Sequence, residues 1–120
     1  YGVYDVGIPI DPRLLLGQVQ GGVVQGLGYG MMESMYSKNG KIEHNSFSSY
    51  AVPTSADIPN IHSEWIINEY ENGPYGAKAA GELTLVGVAP AIASAVADAI
   101  GKEIVEIPVT PEKIWEVMNR

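Results

Sequence analysis

The carboxylate of Glu82 is the side chain that most clearly indicates chemistry in this sequence of 120 residues. It follows the small residues Ala79-Ala80-Gly81 and precedes an apolar run, and Lys78 is the only other charge nearby. Burial in such surroundings would disfavour the charged form and raise the pKa of the carboxyl group, as a general base requires. An ordinary solvated glutamate in a loop is the simpler alternative, because acidic residues are rarely buried without a partner.

Two amides and a series of glycines share a second segment, which is predicted to be one helix over residues 12–33. Gln18 and Gln25 are seven residues apart and therefore face the same side of that helix. Gly22, Gly26 and Gly30 recur every fourth residue and leave one face almost without side chains. Such a face allows close approach of another backbone or of a flat heterocycle such as a pterin. Helix packing and cofactor contact both fit this pattern.

The composition excludes several classes of site. Fourteen acidic against seven basic residues give a net charge of -7, which repels phosphate backbones, so we expect no nucleic-acid partner. Without cysteine the chain has no disulfide, no thiolate metal site and no iron–sulfur cluster of its own. His44 and His62 are too few for a three-histidine site. We expect both to be partly exposed strand residues, and we expect this chain to supply no metal ligand.

The sequence shows neither a membrane span nor a targeting signal. The longest uncharged stretch, residues 83–97, is shorter than the roughly 20 residues that a bilayer span needs, and Pro90 interrupts it. The first seven residues lack the basic and apolar pattern of a secretory signal. We therefore expect no membrane contact, a cytoplasmic location and a single domain over residues 1–120.

Alternation and turn residues predict the strands. The first strand covers residues 1–6, and Asn39-Gly40 predicts a hairpin turn between strands at residues 35–37 and 42–51. A further strand is predicted over residues 61–70. We expect these strands to form an antiparallel ladder that is covered by the glycine-rich helix.

Helical periodicity and capping residues predict three helices. Asp11 caps the glycine-rich helix, a second helix begins near Pro90 and stops at Gly101, and Thr110 caps a last helix that runs to Met118. The expected fold class is α+β, with an antiparallel or mixed sheet of about three to four strands packed with about three helices.

Several motifs occur in a characteristic order along nearly the whole chain. They are Asp5-Val6-Gly7 with Pro12, the glycine- and glutamine-rich run at 17–28, Tyr50 with Pro53-Thr54, Asp57-Ile58-Pro59, Gly76-Ala77-Lys78-Ala79-Ala80-Gly81-Glu82, Pro90-Ala91-Ile92-Ala93 and Thr110-Pro111-Glu112. In combination these motifs resemble the C-terminal part of the molybdenum-binding subunit of the xanthine dehydrogenase and aldehyde oxidase family. The resemblance implies that the fold is a fragment of a larger molybdopterin-binding domain.

The resemblance also implies roles for individual residues. Glu82 matches the family's catalytic base, which deprotonates a molybdenum-bound hydroxide that then attacks a carbon of an N-heterocycle or aldehyde. Gln18 matches the glutamine that hydrogen-bonds the pterin, and Gly81 the glycine whose backbone borders the metal. Ala80, Lys78 and Gln25 are further expected cofactor contacts, of which Gln25 has the weaker support.

The cofactor implied is molybdopterin with molybdenum, with the cytosine dinucleotide form as one alternative, and the site is shared with upstream sequence of the subunit. FAD and iron–sulfur clusters are expected on other domains or subunits. The implied partners are the remainder of the molybdenum-binding subunit, iron–sulfur and flavin subunits, and a small-molecule substrate.

The family's subunit is several times longer than this chain, so the isolated chain is expected to be inactive. A non-catalytic remnant or assembly module that keeps only the fold is the alternative hypothesis. If the glycine face of residues 17–30 normally lies against cofactor and a partner domain, the isolated chain exposes an apolar patch and is expected to self-associate.

Overall fold

A computed structural model describes all residues 1–120 and shows an α+β chain with two small sheets. The strands are β1 (Gly2–Asp5), β2 (Ser37–Lys38), β3 (Lys41–Ile42) and β4 (Ser63–Ile66). The helices are α1 (Pro12–Met31), the one-turn α2 (Leu83–Val86), α3 (Val88–Ile100) and α4 (Pro111–Met118), and a 3-10 turn covers Pro74–Gly76. The predicted class is therefore confirmed, whereas the predicted single sheet is not.

The first sheet pairs the two strands that lie farthest apart in sequence. β1 and β4 run parallel, with Gly2 opposite Ser63 and Asp5 opposite Ile66. The prediction that the strand at 61–70 joins an antiparallel ladder with the hairpin is wrong, and this strand is only four residues long. A parallel pair requires a long crossover between its strands, and here α1 and the hairpin lie within that crossover.

The second sheet is the predicted hairpin in shortened form. Asn39 and Gly40 both have positive φ, 52° and 75°, as a tight turn of mirror-image type requires. Each strand has only two residues, and the strand predicted over 42–51 is wrong beyond Ile42. The chain instead makes a turn after Ser46, whose carbonyl accepts hydrogen bonds from the backbone N–H groups of Ser49 and Tyr50. Neither histidine lies in a strand: His44 follows β3 in a loop, and exposed His62 stacks on Tyr1 just before β4.

The glycine-rich helix begins and ends close to its predicted bounds. The Asp11 carboxylate accepts hydrogen bonds from the backbone N–H groups of Arg13 and Leu14, at 2.9 and 3.2 Å, and Pro12 occupies the first turn. This pattern satisfies donors that the first helical turn leaves without intrahelical partners. The helix ends at Met31, two residues before the predicted end.

The bare face of α1 packs against α2 and α3. Gly22 contacts Thr84, Gly26 contacts Val88, and Gly30 contacts Ile92. Each step of four residues along α1 is matched by a step of four on its partner, so the two run in the same direction. The packing interpretation of these glycines is therefore confirmed. The idea that this face is left open in the isolated chain is wrong, because residues of the same chain cover it.

The remaining two helices end and begin at the expected residues. Gly101 adopts a positive φ of 66° and stops α3, while the Thr110 hydroxyl accepts the Lys113 N–H at the start of α4. Between them, the backbone N–H of buried Val109 donates to the Gly30 carbonyl at 2.6 Å and ties this segment to the end of α1.

One stretch, Leu83–Ile100, has the length and composition of a membrane span, with a mean hydropathy of 1.8 over 18 residues. It consists of two helices that meet at a turn at Gly87, and α1 packs along one side of them. Length and composition alone are weak support for a span. Only 11% of this stretch is buried within the chain, and the absence of a membrane span stays a prediction.

The core is small for a chain of this length. Only 12 of 120 residues are buried, and the main cluster consists of Val6, Leu15 and Val19, with Ala80 and Trp65 packed against it. The radius of gyration is 17.3 Å, against about 14 Å for a compact domain of the same length. The core sits where β1, α1 and the segment before α2 meet, and it positions that segment.

Candidate functional site

The segment that leads to Glu82, residues 76–82, is anchored at its start to the end of β1. We refer to it as the Glu82 loop. The Lys78 backbone N–H donates to the Val6 carbonyl at 3.0 Å, and the Gly76 carbonyl accepts the N–H groups of Ile8 and Tyr70. Gly76 has a φ of 76°, a conformation that favours glycine. The start of the loop is thus fixed to two neighbouring segments by backbone hydrogen bonds.

A carboxylate adds a second anchor at the same place. Asp5 Oδ2 accepts hydrogen bonds from Lys78 Nζ at 2.7 Å and from Asn68 Nδ2 at 2.9 Å, and Asp5 Oδ1 accepts the Gly7 N–H at 3.2 Å. The Lys78 ammonium, the Asn68 amide and the Gly7 N–H together lower the pKa of Asp5 to about 2. The group therefore stays ionised over the neutral range.

The far end of the Glu82 loop is anchored by packing. Ala80 packs against the core cluster of Val6, Leu15 and Val19. Thr84 is fully buried, and its hydroxyl donates to the Gly81 carbonyl at 3.1 Å. Because Thr84 also contacts Gly22 of α1, a larger residue at position 22 would displace the start of α2.

Glu82 itself is exposed between these two anchors. Its carboxylate takes part in none of the side-chain hydrogen bonds or ion pairs that hold the loop. The burial on which the general-base argument depended is therefore not supplied by these 120 residues. What they supply is a fixed backbone on both sides of an unengaged carboxylate.

The two amides of α1 are also exposed, and they lie at different distances from Glu82. Gln18 precedes Gly22, which contacts Thr84, by about one turn of the helix. Gln25 lies about 10 Å farther along the helix, given a rise of about 1.5 Å per residue. Gly17 and Gly21 have open space where a side chain would stand. A contact of Gln18 with the Glu82 loop stays a prediction.

Of the expected cofactor contacts, Gln18 and Gly81 are exposed within the chain, which is compatible with a flat, polar ring system. The amide of Gln18 has both hydrogen-bond donors and acceptors, as the edge of a pterin requires. Gly81 has open space where a side chain would stand. Ala80 packs against the core, and Lys78 has a partner within the chain at both its ammonium and its backbone N–H. No group of three or more histidine, aspartate or glutamate side chains is arranged to hold a metal ion.

Three residues at this site were not singled out by the sequence. Asp5 and Asn68 complete the contacts of Lys78, and Thr84 joins the loop to α1. Asp5 is the only charged residue in the first strand, and an isolated carboxylate there could have indicated a hydrogen-bonding partner from a distant segment. Nothing in the sequence around Asn68 or Thr84 separates them from ordinary strand-end and helix residues.

The first half of the chain matches a known domain family. Residues 1–59, which contain β1, α1 and the hairpin, match the molybdopterin cofactor-binding domain. The full chain is 35% identical over 122 residues to the probable hypoxanthine oxidase XdhD of Escherichia coli strain K12 and covers 13% of that protein. It is 37% identical over 117 residues to the putative xanthine dehydrogenase molybdenum-binding subunit XdhA of the same strain, matching 95% of this chain and 15% of the subunit.

The fold is similar to that of solved enzymes. Quinoline 2-oxidoreductase from Pseudomonas putida 86 superimposes with a TM-score of 0.90 at 27% identity, over 98% of this chain and 16% of the enzyme chain. The chain thus spans about one seventh of the length of the relatives it matches. Family members bind the molybdopterin cofactor and work as one subunit among others. The chain belongs to the molybdenum hydroxylase large subunits of the xanthine dehydrogenase and aldehyde oxidase family, of which it represents one segment.

Proposed function

We propose that this chain is the segment of a molybdenum hydroxylase that carries the catalytic base, Glu82, and that it acts together with the rest of the large subunit. The observation that carries this proposal is the Glu82 loop, which is anchored at both ends and leaves one carboxylate free. A base must reach the proton it abstracts within hydrogen-bond distance, so a fixed backbone beside a free carboxylate suits that role.

In this proposal each expected site residue has a separate role. Glu82 accepts a proton from the oxygen nucleophile that attacks the substrate carbon. The Gln18 amide donates to and accepts from the pterin edge, the Gly81 backbone borders the metal side, and Gln25 and Ala80 are outer contacts. The molybdenum cofactor, when bound, supplies the two-electron oxidation of the substrate carbon.

The rest of the large subunit completes the site. Burial by that part of the subunit would remove Glu82 from bulk water and close the site around it. Iron–sulfur and flavin centres on other domains or subunits would accept the electrons.

The substrate class in this proposal is an N-heterocycle or an aldehyde. Two relatives are named for N-heterocycles, hypoxanthine and quinoline. Such rings have an electron-poor carbon beside nitrogen, which is the type of carbon that an oxygen nucleophile attacks. Hypoxanthine, quinoline and an aromatic aldehyde are therefore the first three substrates to assay.

The first experiment identifies the assembly. The polypeptide is recovered from its native source, and native mass spectrometry measures its mass, its co-purifying chains and its molybdenum content. We expect a larger assembly that contains molybdenum. A free, metal-free species of 12.8 kDa would contradict the proposal and favour the non-catalytic remnant.

The second experiment tests the base. Glu82→Gln in the complete enzyme should lower kcat by about 100- to 10,000-fold, the usual range for a general base, with little change in molybdenum content. Glu43→Gln is the matched control, because Glu43 is an exposed glutamate beside the hairpin, away from the loop. Near-normal turnover of Glu82→Gln would rule out the assignment.

A further inference from the structure

We propose that Asp5, Asn68 and Lys78 form a clasp that positions the Glu82 loop, so that Lys78 serves the reaction through the placement of Glu82 and not through contact with the cofactor. The inference rests on the proposed function of Glu82. It assigns a role to Asp5 and Asn68, and it replaces the direct cofactor contact expected for Lys78.

The clasp joins three segments that are far apart in sequence. Asp5 ends β1, Asn68 follows β4 by two residues, and Lys78 lies in the Glu82 loop. Because β1 and β4 are hydrogen-bonded neighbours, their ends form one rigid edge. Asp5 Oδ2 on that edge accepts hydrogen bonds from both Asn68 and Lys78. The Glu82 loop is therefore attached to the sheet by a side-chain contact as well as by the chain itself.

Glu82 depends on this anchor for its position. Its own side chain is unengaged, and Gly81 before it is held only through its carbonyl, which accepts the Thr84 hydroxyl at 3.1 Å. Three residues separate Lys78 from Glu82, and only Ala80 among them packs against the core. The clasp at Lys78 thus acts together with the packing of Ala80 to fix the backbone that leads to the carboxylate.

The environment of Lys78 argues against a cofactor contact. Its side chain is 28% exposed, its Nζ lies 2.7 Å from Asp5, and its backbone N–H is donated to Val6. The Asp5 contact uses one of the three N–H donors of the ammonium, and it holds Nζ at the end of β1. Charge-assisted hydrogen bonds of this length are the strong ones, so the present arrangement is the favoured one.

The test uses the complete enzyme with three variants. Asp5→Asn and Lys78→Met each remove the charged contact between Asp5 and Lys78. The double variant removes the same charged contact and no other. We expect each single variant to lower kcat by between about 10- and 100-fold, as small misplacements of a catalytic group do, with KM changed by less than twofold. The double variant should be no slower than the slower single, because both changes break the same contact.

A second readout does not depend on turnover. Hydrogen exchange followed by mass spectrometry should show faster exchange in the peptide spanning residues 76–86 in both single variants, with molybdenum content unchanged. Lys78→Arg keeps the charge and donors and should restore most of the turnover and the slow exchange. Lys41→Met, at an exposed lysine in the hairpin, is the control and should change neither.

The outcomes separate the clasp from the proposed function. Unchanged kcat and unchanged exchange in Asp5→Asn and Lys78→Met would overturn the clasp. Loss of molybdenum or pterin in Lys78→Met alone, with normal Asp5→Asn enzyme, would overturn it in favour of a direct cofactor contact. Normal turnover in Glu82→Gln would instead refute the base, whatever the exchange data show. If Lys78→Met does not assemble, Lys78→Arg compared with Asp5→Asn gives the same decision.

Discussion

The carboxyl group of Asp5 has a pKa well below that of a free aspartate. Lys78 is the main cause, and Asn68 and the Gly7 N–H add to the lowering of its pKa from 3.8 to about 2. Any base chemistry at Glu82 near neutral pH therefore takes place with Asp5 fully ionised. The clasp is a constant feature over that range and not a switch.

Acid should weaken the clasp in a predictable window. A carboxyl group with a lowered folded-state pKa contributes stability above its unfolded pKa, and this contribution is lost as the pH falls through the folded value. For Asp5 the window lies between 3.8 and about 2. Thermal unfolding of the 120-residue chain, followed by circular dichroism, should show a constant difference between wild type and Asp5→Asn above pH 4, and a shrinking difference below it. A difference that instead changes between pH 5 and 8 would contradict this cause.

Local residues could be predicted from sequence, whereas long-range partners could not. Asp11 and Thr110 cap helices that begin at the next residue, so the pattern is contained in a few positions. Asp5 finds its partners 63 and 73 residues away. Glu82 and Gln18 were singled out by residue type, but their distance from each other depends on how α1 packs against α2.

At the scale of elements, the glycines of α1 serve two different purposes. Those at positions 22, 26 and 30 allow the helix to lie against α2 and α3, whereas Gly17 and Gly21 have open space beside them. Every glycine within a helix costs about 1 kcal/mol relative to alanine. The close packing offsets this cost at the first set of positions. At Gly17 and Gly21 no contact within the chain offsets it.

Alanine substitutions should separate these two sets. A methyl group at Gly26 would lie 2.6 Å from Val88 Cβ and 3.0 Å from the Leu85 carbonyl oxygen. Gly21→Ala meets no neighbour and should stabilise the chain by up to about 1 kcal/mol through helix propensity. Gly26→Ala gains the same propensity but overpacks the interface, so it should be less stable than Gly21→Ala by about 1–3 kcal/mol.

Urea unfolding of the 120-residue chain measures both variants, at a concentration low enough for the chain to be monomeric. The difference between Gly21→Ala and Gly26→Ala isolates the clash, because the propensity gain is common to both. Equal stabilisation by both substitutions would show that α1 does not pack closely against α3 in solution.

Element types were easier to predict than their pairing. Caps and periodicity placed α1, α3 and α4 to within about two residues, whereas β1 and β4 were assigned to an antiparallel ladder. The parallel pairing of β1 with β4 is possible because α1 and the hairpin form a long connection between them. No pattern within either strand predicts this pairing. The one-turn α2 was missed because a single turn carries no periodicity.

At the scale of the whole molecule, most large apolar side chains remain in contact with solvent. Those more than half exposed include Leu14, Phe47, Tyr75, Val86, Val105 and Trp115. They lie on several elements and not on the glycine face of α1, which is already covered. So many exposed large apolar side chains are typical of a chain that is covered by a partner. The rest of the large subunit, about six sevenths of the relatives' length, is the partner that we propose for it.

The isolated 120-residue chain should therefore self-associate, through these exposed apolar side chains and not through the glycines of residues 17–30. Sedimentation velocity should show oligomers that increase with concentration, because burial of apolar surface favours association. Replacing Trp115 and Val105 with glutamine and threonine should reduce this association, whereas Gly17→Ala should leave it unchanged. Supplying the missing part of the subunit as a second polypeptide should abolish it by covering the same surface. A strictly monomeric chain at high concentration would mean that the exposed apolar surface does not drive association. That result would contradict the proposed interface with the rest of the subunit.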